Sequence, residues 1–248
     1  MRATVQSVRS LRPDVVLDAQ GLLKSAVWGV LAGAPRRIGL HSEVRRERAA
    51  GLCYSETAPS PLPHRHAVDV PLSLLGALGG AMPWGATPDG SFLLPPSARR
   101  RAGDPRAPVL LLPGTGRAAK TWGAAAFTEL ARRLAGQGWE VEILWGPHER
   151  RLASGIAEAA GVRRAPPTPL AALPQYLVRA RGVIGGDTGP AHLAAALGVP
   201  TVMLHLDTDP HRSGARGRRT TILDGRAAAA APLTPEAVAA AARSTFFE

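Results

Sequence analysis

The sequence predicts an α/β protein of two units, the second a doubly wound parallel sheet. Two observations point there. Between residues 107 and 225, short continuous apolar runs such as Val109-Leu110-Leu111-Leu112 alternate with longer segments of helical spacing. A strand that is apolar at every position must be covered on both faces, the condition of a parallel sheet with helices above and below. A stretch rich in Gly, Pro, Ser and Arg, residues 79–108, separates this alternation from a shorter one ahead of it. We divide the chain into residues 1–95, part of one unit, and 96–248, the other.

In the first unit, Val15-Val16-Leu17-Asp18 reads as a buried strand, 22–31 as a helix and 37–40 as a short strand. Residues 41–66 read as irregular and basic. Val70, Leu74 and Leu78 give 66–78 a helical face. In the second unit, strands are expected at 109–112, 141–144, 183–184 and 201–204. Helices are expected at 127–134, 149–160, 173–180, 191–197 and 234–243. The last begins with Thr234 as N-cap and Pro235 in the first turn. The run Ala227 to Ala231 is of low complexity and reads as a surface connection.

Composition narrows the partners. The chain has 248 residues, enough for a sizeable core, with 45% hydrophobic and 20% charged residues. Aromatics make up only 4%, so Ala, Val and Leu must build the core. The net charge of +11 suits an anionic partner: nucleic acid, a phospholipid surface or a phosphorylated substrate. All but two of the 30 basic residues are arginines, the lysines being Lys24 and Lys120. The arginines are dispersed and aromatics scarce, which argues against nucleic acid. The single cysteine, Cys53, excludes an intrachain disulfide and fits a reducing, cytoplasmic setting. Residues 1–12 lack the apolar stretch of a secretory signal. The longest apolar run, 26–34, is far short of the roughly 20 residues of a spanning helix, so any membrane contact is expected to be peripheral.

In open α/β sheets ligands bind beyond the carboxyl ends of the strands. Three segments there carry unusual residues. Pro113-Gly114-Thr115-Gly116, with Lys120 four residues on, could admit a phosphate to its backbone amides and offer it a point charge. Read alone it is equally a turn with a solvated lysine. It lacks the spacing of a P-loop. Trp145-Gly146-Pro147-His148-Glu149 places a carboxylate where ribose hydroxyls could donate to it. By itself it reads better as a helix start with an acid at the positive end. Gly185-Gly186-Asp187-Thr188-Gly189-Pro190-Ala191-His192 joins a strand to a helix. Here small residues, free amides and a histidine in the first turn favour an anion site over a plain Asp187 cap. Together the three converge on one sheet edge and favour a nucleoside diphosphate, with phosphates at Thr188-Gly189 and sugar hydroxyls near Glu149. Asp207-Thr208-Asp209 has metal-binding spacing but reads as a loop. His64 and His66 read as surface residues, and no metal site is expected.

The chain resembles the heptosyltransferases of glycosyltransferase family 9. Asp18-Ala19-Gln20-Gly21-Leu22-Leu23-Lys24-Ser25-Ala26, His66-Ala67-Val68, Trp145-Gly146 with His148-Glu149, Asp187-Thr188-Gly189 with His192, and Thr208-Asp209-Pro210 look like its motifs, in the same order. It is closer to the type I than the type II members, where a Ser usually replaces Thr188.

The resemblance implies a GT-B fold of two Rossmann-like domains with the active site between them. The donor would be ADP-L-glycero-D-manno-heptose, bound by the C-terminal domain. The acceptor would be the Kdo region of a lipid A precursor, at the cytoplasmic face of the inner membrane. The reaction would be an inverting, metal-independent transfer needing no cofactor. By position Thr115 and Gly116 would meet phosphate and Lys120 would stabilise the departing diphosphate. Glu149 would hold the ribose, and Asp187, Thr188, Gly189 and His192 would line the donor site. Arg46 would face the acceptor. The family's opening strand and glycine-rich turn, with the Asp taken as general base, have no counterpart in residues 1–14, where Asp14 precedes a strand. The N-terminal domain is therefore expected to be incomplete, and a binding module without transfer stays open beside the enzyme.

Overall fold

The computed structural model describes residues 2–98, 103–116, 121–226 and 233–247. They form two compact units, Met1–Ala86 and Thr87–Glu248. Lys120 and the run Ala227 to Ala231 lie outside the described residues.

The first unit carries α1 (Arg2–Ser10), β1 (Val15–Asp18), α2 (Leu23–Ala32), β2 (Arg36–Gly39), β3 (Glu56–Thr57) and α3 (Asp69–Ala77). Its three strands are parallel in the order β1-β2-β3, with Leu17 opposite Ile38 and Ile38 opposite Glu56. Ile38, Leu40, Ala58 and Leu74 make a small core. α2 ends on Gly33, whose φ of 74° is the left-handed turn that glycine adopts without Cβ strain. Helix α1 is not among the expected elements. Its only apolar signal is Val5 and Val8, three residues apart and half-buried, and Arg9 Nε fastens it to the Leu31 carbonyl at 2.8 Å.

The second unit is a six-stranded parallel sheet in the order β6-β5-β4-β7-β8-β9. The strands are β4 (Val109–Leu112), β5 (Val141–Ile143), β6 (Arg163–Arg164), β7 (Gly182–Gly186), β8 (Thr201–His205) and β9 (Thr220–Asp224). The helices are α4 (Ala124–Gly136), α5 (Arg150–Ala160), α6 (Leu173–Leu177), α7 (Gly189–Ala196), α8 (Pro210–Ser213) and α9 (Pro235–Phe247).

Side chains alternate across a strand, so the apolar β4 feeds two cores. Val109 and Leu111 pack with Phe127, Leu130 and Ile156 of α4 and α5 and with Val238 of α9. Leu110 and Leu112 pack with Leu177, Ala191 and Ala194 of α6 and α7. Ile184 and Val183, like Val202 and Met203, divide the same way. Thr234 caps α9 through Ala237 N–H at 3.2 Å, with Pro235 in the first turn.

The units divide nine residues ahead of position 95, and 87–95 goes with the second. Gly90 N–H donates to the Ala196 carbonyl at 2.8 Å, and Leu94 is buried beside Leu110 and Leu112. A composition shift marks where a chain turns irregular; it carries no sign of which core one buried leucine joins.

Phe127 fills the α4 face of the sheet at 2% exposure, edge-on to Trp122. Phe127→Ala is expected to cost about 3–5 kcal/mol in denaturant unfolding; a loss under about 1 kcal/mol would contradict this packing. Residues 87–248 alone are expected to unfold cooperatively, within a few degrees of the same unit in the full chain. A non-cooperative melt would refute that independence.

Candidate functional site

The chain runs outward from β4 through β5 to β6, then returns to the other side of β4 for β7, β8 and β9. The direction of winding reverses between β4 and β7, and a crevice opens beyond the carboxyl ends at such a reversal. With neighbouring strands about 4.8 Å apart, the loops after β5, β4 and β7 lie side by side. All three segments singled out in the sequence of this unit fall there.

Beyond β4, Gly114 has a specific reason to lack a side chain. A Cβ there would lie 2.0 Å from the carboxyl carbon of Glu149. Glu149 sits at the start of α5 but does not cap it. Its carboxylate turns back, accepts Gly146 N–H on Oε2 at 2.8 Å and lies over the Gly114 backbone. Thr115 Oγ1 is 3.0 Å from Thr121 Oγ1, and Gly116 is exposed with open space where a side chain would be. The same loop continues toward Lys120, outside the described residues.

Beyond β7, Asp187 is the hub. Its side chain is only 10% exposed. Oδ1 lies 2.9 Å from His192 Nε2 in the first turn of α7. Oδ2 accepts the Thr208 hydroxyl at 2.7 Å and Ser213 Oγ at 3.4 Å. Thr188 is the extended residue ahead of α7, with φ −138° and ψ 155°, and its side chain does not cap the helix. Its Oγ1 is buried and has no hydrogen-bond partner among the described residues. A buried hydroxyl without a partner costs free energy, on the order of 1–3 kcal/mol, and this one is free to bond a group that enters beside it. Gly189 is exposed and unobstructed beside it.

Behind Asp187 stands His205, the last residue of β8, fully buried. Its Nδ1 lies 3.0 Å from Thr208 Oγ1 and 3.1 Å from the Thr208 carbonyl oxygen. Burial pushes its pKa below the ordinary histidine value. His205 and Ser213 were not anticipated, and Thr208 only as part of a motif. The available signal was a histidine closing the otherwise apolar run Val202-Met203-Leu204.

The other expectations can be placed. Asp209 caps α8 by accepting His211 N–H at 3.0 Å, and Arg226 bridges Asp209 and Asp224. That bridge, chiefly the Arg226 hydrogen bond, holds Asp224 at a pKa of about 2. His64 stacks on Trp84 with centroids 4.9 Å apart. In the first unit, Asp18 accepts the N–H groups of Gln20 and Gly21 and the Tyr54 hydroxyl. Burial and that hydrogen bond raise the Tyr54 phenol pKa. Glu47 N–H donates to the Gly21 carbonyl, and the Glu47 carboxylate accepts Leu23 N–H at 2.7 Å. The basic loop is thus pinned to the Asp18–Gly21 turn, with Arg46 exposed upon it.

Residues 1–236 match the model of glycosyltransferase family 9 (heptosyltransferase). Lipopolysaccharide heptosyltransferase 1 of Pseudomonas aeruginosa is 38% identical over 220 residues, covering 86% of this chain and 60% of that one. The chain thus spans about three fifths of that relative's length. The Escherichia coli K12 protein of the same name is 29% identical over 89% of this chain and 69% of its own. Among solved structures, the E. coli heptosyltransferase WaaC with ADP superposes at a TM-score of 0.80 with 29% identity, over 98% of this chain and 78% of that one. The same enzyme with ADP-2-deoxy-2-fluoro heptose gives 0.75 with 28% identity, over 96% and 75%. This likeness shows the expected α/β fold of the GT-B class. With a match along nearly its whole length, the chain belongs to glycosyltransferase family 9, the heptosyltransferases.

Proposed function

We propose that the chain is a glycosyltransferase of lipopolysaccharide inner-core assembly. Its donor is ADP-L-glycero-D-manno-heptose and its acceptor the Kdo region of a lipid A precursor. The observation that carries this reading is the entrance to α7: a buried, unpartnered Thr188 hydroxyl beside the unobstructed Gly189 and the Asp187–His192 pair. Relatives solved with ADP and with a fluorinated ADP-heptose lend it support.

The amide groups and dipole at the start of α7 favour the diphosphate, with the Thr188 hydroxyl donating to a phosphate oxygen. Thr115 and Gly116 bring a second set of backbone groups from across the strand reversal. Glu149, held by Gly146 N–H, accepts from the ribose hydroxyls. In the transfer, an acceptor hydroxyl oxygen bonds to the anomeric carbon while the bond from that carbon to the diphosphate oxygen breaks on the opposite face, inverting the centre. The electron pair leaves on the diphosphate, and Lys120 meets that growing charge. Protein cations and amides supply this stabilisation, so the reading needs no metal and no cofactor. The acceptor hydroxyl's proton goes to a base that this reading assigns to no residue named above. Arg46 is the acceptor-side cation. Among the described residues no helix is long and apolar enough to cross a membrane; the reading places the chain peripherally, at the cytoplasmic face of the inner membrane.

Calorimetric titration with ADP tests the site. Thr188→Val is expected to weaken ADP about tenfold, the loss of one hydrogen bond to a charged group. Glu149→Gln should weaken ADP by a similar factor but leave 2′,3′-dideoxy-ADP unchanged. Gly114→Ala should reproduce the Glu149→Gln result by displacing that carboxylate. A folded wild-type chain that ignores ADP would sink the donor-site reading. If binding holds, Lys120→Ala should lower heptose transfer to a Kdo-lipid A acceptor by about 10²-fold, with ethylenediaminetetraacetate without effect. Binding without any transfer by the wild type would reduce the chain to a nucleotide-binding module.

A further inference from the structure

The hydrogens of the polar network around Asp187 converge on its carboxylate. A carbonyl oxygen accepts and never donates, so the His205 Nδ1 that faces the Thr208 carbonyl carries a hydrogen. The same N–H reaches the Thr208 hydroxyl oxygen. That hydroxyl then has its single hydrogen for Asp187 Oδ2 at 2.7 Å. An ionised carboxylate only accepts, so the contact from Asp187 Oδ1 to His192 at 2.9 Å requires hydrogen on His192 Nε2. Thr208 from the loop after β8, Asp187 just beyond β7 and His192 from α7 are thus tied to one buried imidazole.

We propose that His205 is a positioning residue for the donor site: by holding Thr208 it aims the Thr208 hydroxyl at Asp187 and so fixes the carboxylate in the orientation that engages His192 Nε2. The proposal rests on the donor-site reading of Asp187 and His192. His205 touches no ligand itself. Its other nitrogen, Nε2, is buried without a partner among the described residues, so a second proton there would be a buried N–H with no acceptor. The charged and titratable groups that act on it are Asp187 just beyond β7, His192 from α7 and Asp224 from β9. Asp187 and Asp224 favour the cation, yet desolvation outweighs them and the ring stays neutral at neutral pH.

Three variants of the full chain test this. His205→Asn keeps a donor near the Nδ1 position and cannot titrate; His205→Phe fills the volume without a donor; Thr208→Val breaks the next link. Ring ¹⁵N spectra, with His192 assigned by its own substitution, report the tautomers directly. The wild type should show His205 as the Nδ1–H form and His192 with hydrogen on Nε2. His205→Phe and Thr208→Val should let the Asp187 carboxylate turn away from His192, so that the His192 tautomers mix and ADP binds about five- to tenfold more weakly, while His205→Asn stays within about twofold.

Acid provides a second readout. Burial holds the folded pKa of His205 below the ordinary histidine value. Its contribution to stability is therefore whole above that value and is lost as pH falls through the lowered folded value. The wild-type melting temperature should accordingly drop more on acidification than that of His205→Asn. A folded His205→Phe chain with wild-type His192 tautomer and wild-type ADP affinity would overturn the proposal, as would an Asn variant behaving like Phe. If the wild type does not bind ADP, the donor reading fails, and the ¹⁵N spectra still decide whether the chain of hydrogen bonds orients His192.

Discussion

Strand β4 cannot be satisfied by one layer of helices. Each of its four side chains is apolar and buried, and they point alternately to opposite faces. Covering both faces requires crossover connections on each side of the sheet, which places β4 in the middle and forces the winding to reverse beside it. The crevice at β4 and β7 is the geometric remainder of that reversal. Loops that meet there come from strands far apart in sequence and adjacent in space, so groups from the 113–116, 146–149 and 187–192 segments assemble on a frame set by hydrophobic coverage alone.

Within the crevice the governing problem is different. Polar groups have been brought into a low-dielectric setting, and each must be matched. Asp187 is matched three times over, by a histidine, a threonine and a serine from three elements. Glu149 is matched by a backbone amide of its own loop. Thr188 is left open. Among the described residues the Asp187 and Glu149 carboxylates are held and the Thr188 hydroxyl is not, so the site is organised in advance for an incoming acceptor atom.

β4, β5, β7 and β8 were legible because short continuous apolar runs have few other interpretations; β9 was not, because Thr220-Thr221-Ile222-Leu223-Asp224 carries only two apolar residues. β6 was not legible: Arg163-Arg164 is an edge pair whose strand character comes only from its hydrogen bonds to β5. Nor was α8, although Asp209-Pro210 carries the same cap-and-proline signal as Thr234-Pro235; one turn gives no periodicity to count. At the site, Asp187, Glu149 and the glycines could be picked out by type and place. His205 stood out only as a histidine closing an apolar run; nothing in a linear sequence says that it will reach Asp187 through the Thr208 hydroxyl.

Gly114 and Glu149 occupy the same space. Any side chain at 114 meets the carboxylate at 149. A side chain at 114 presses the Glu149 carboxylate aside, so the two positions share one volume and a change at either is felt at the other.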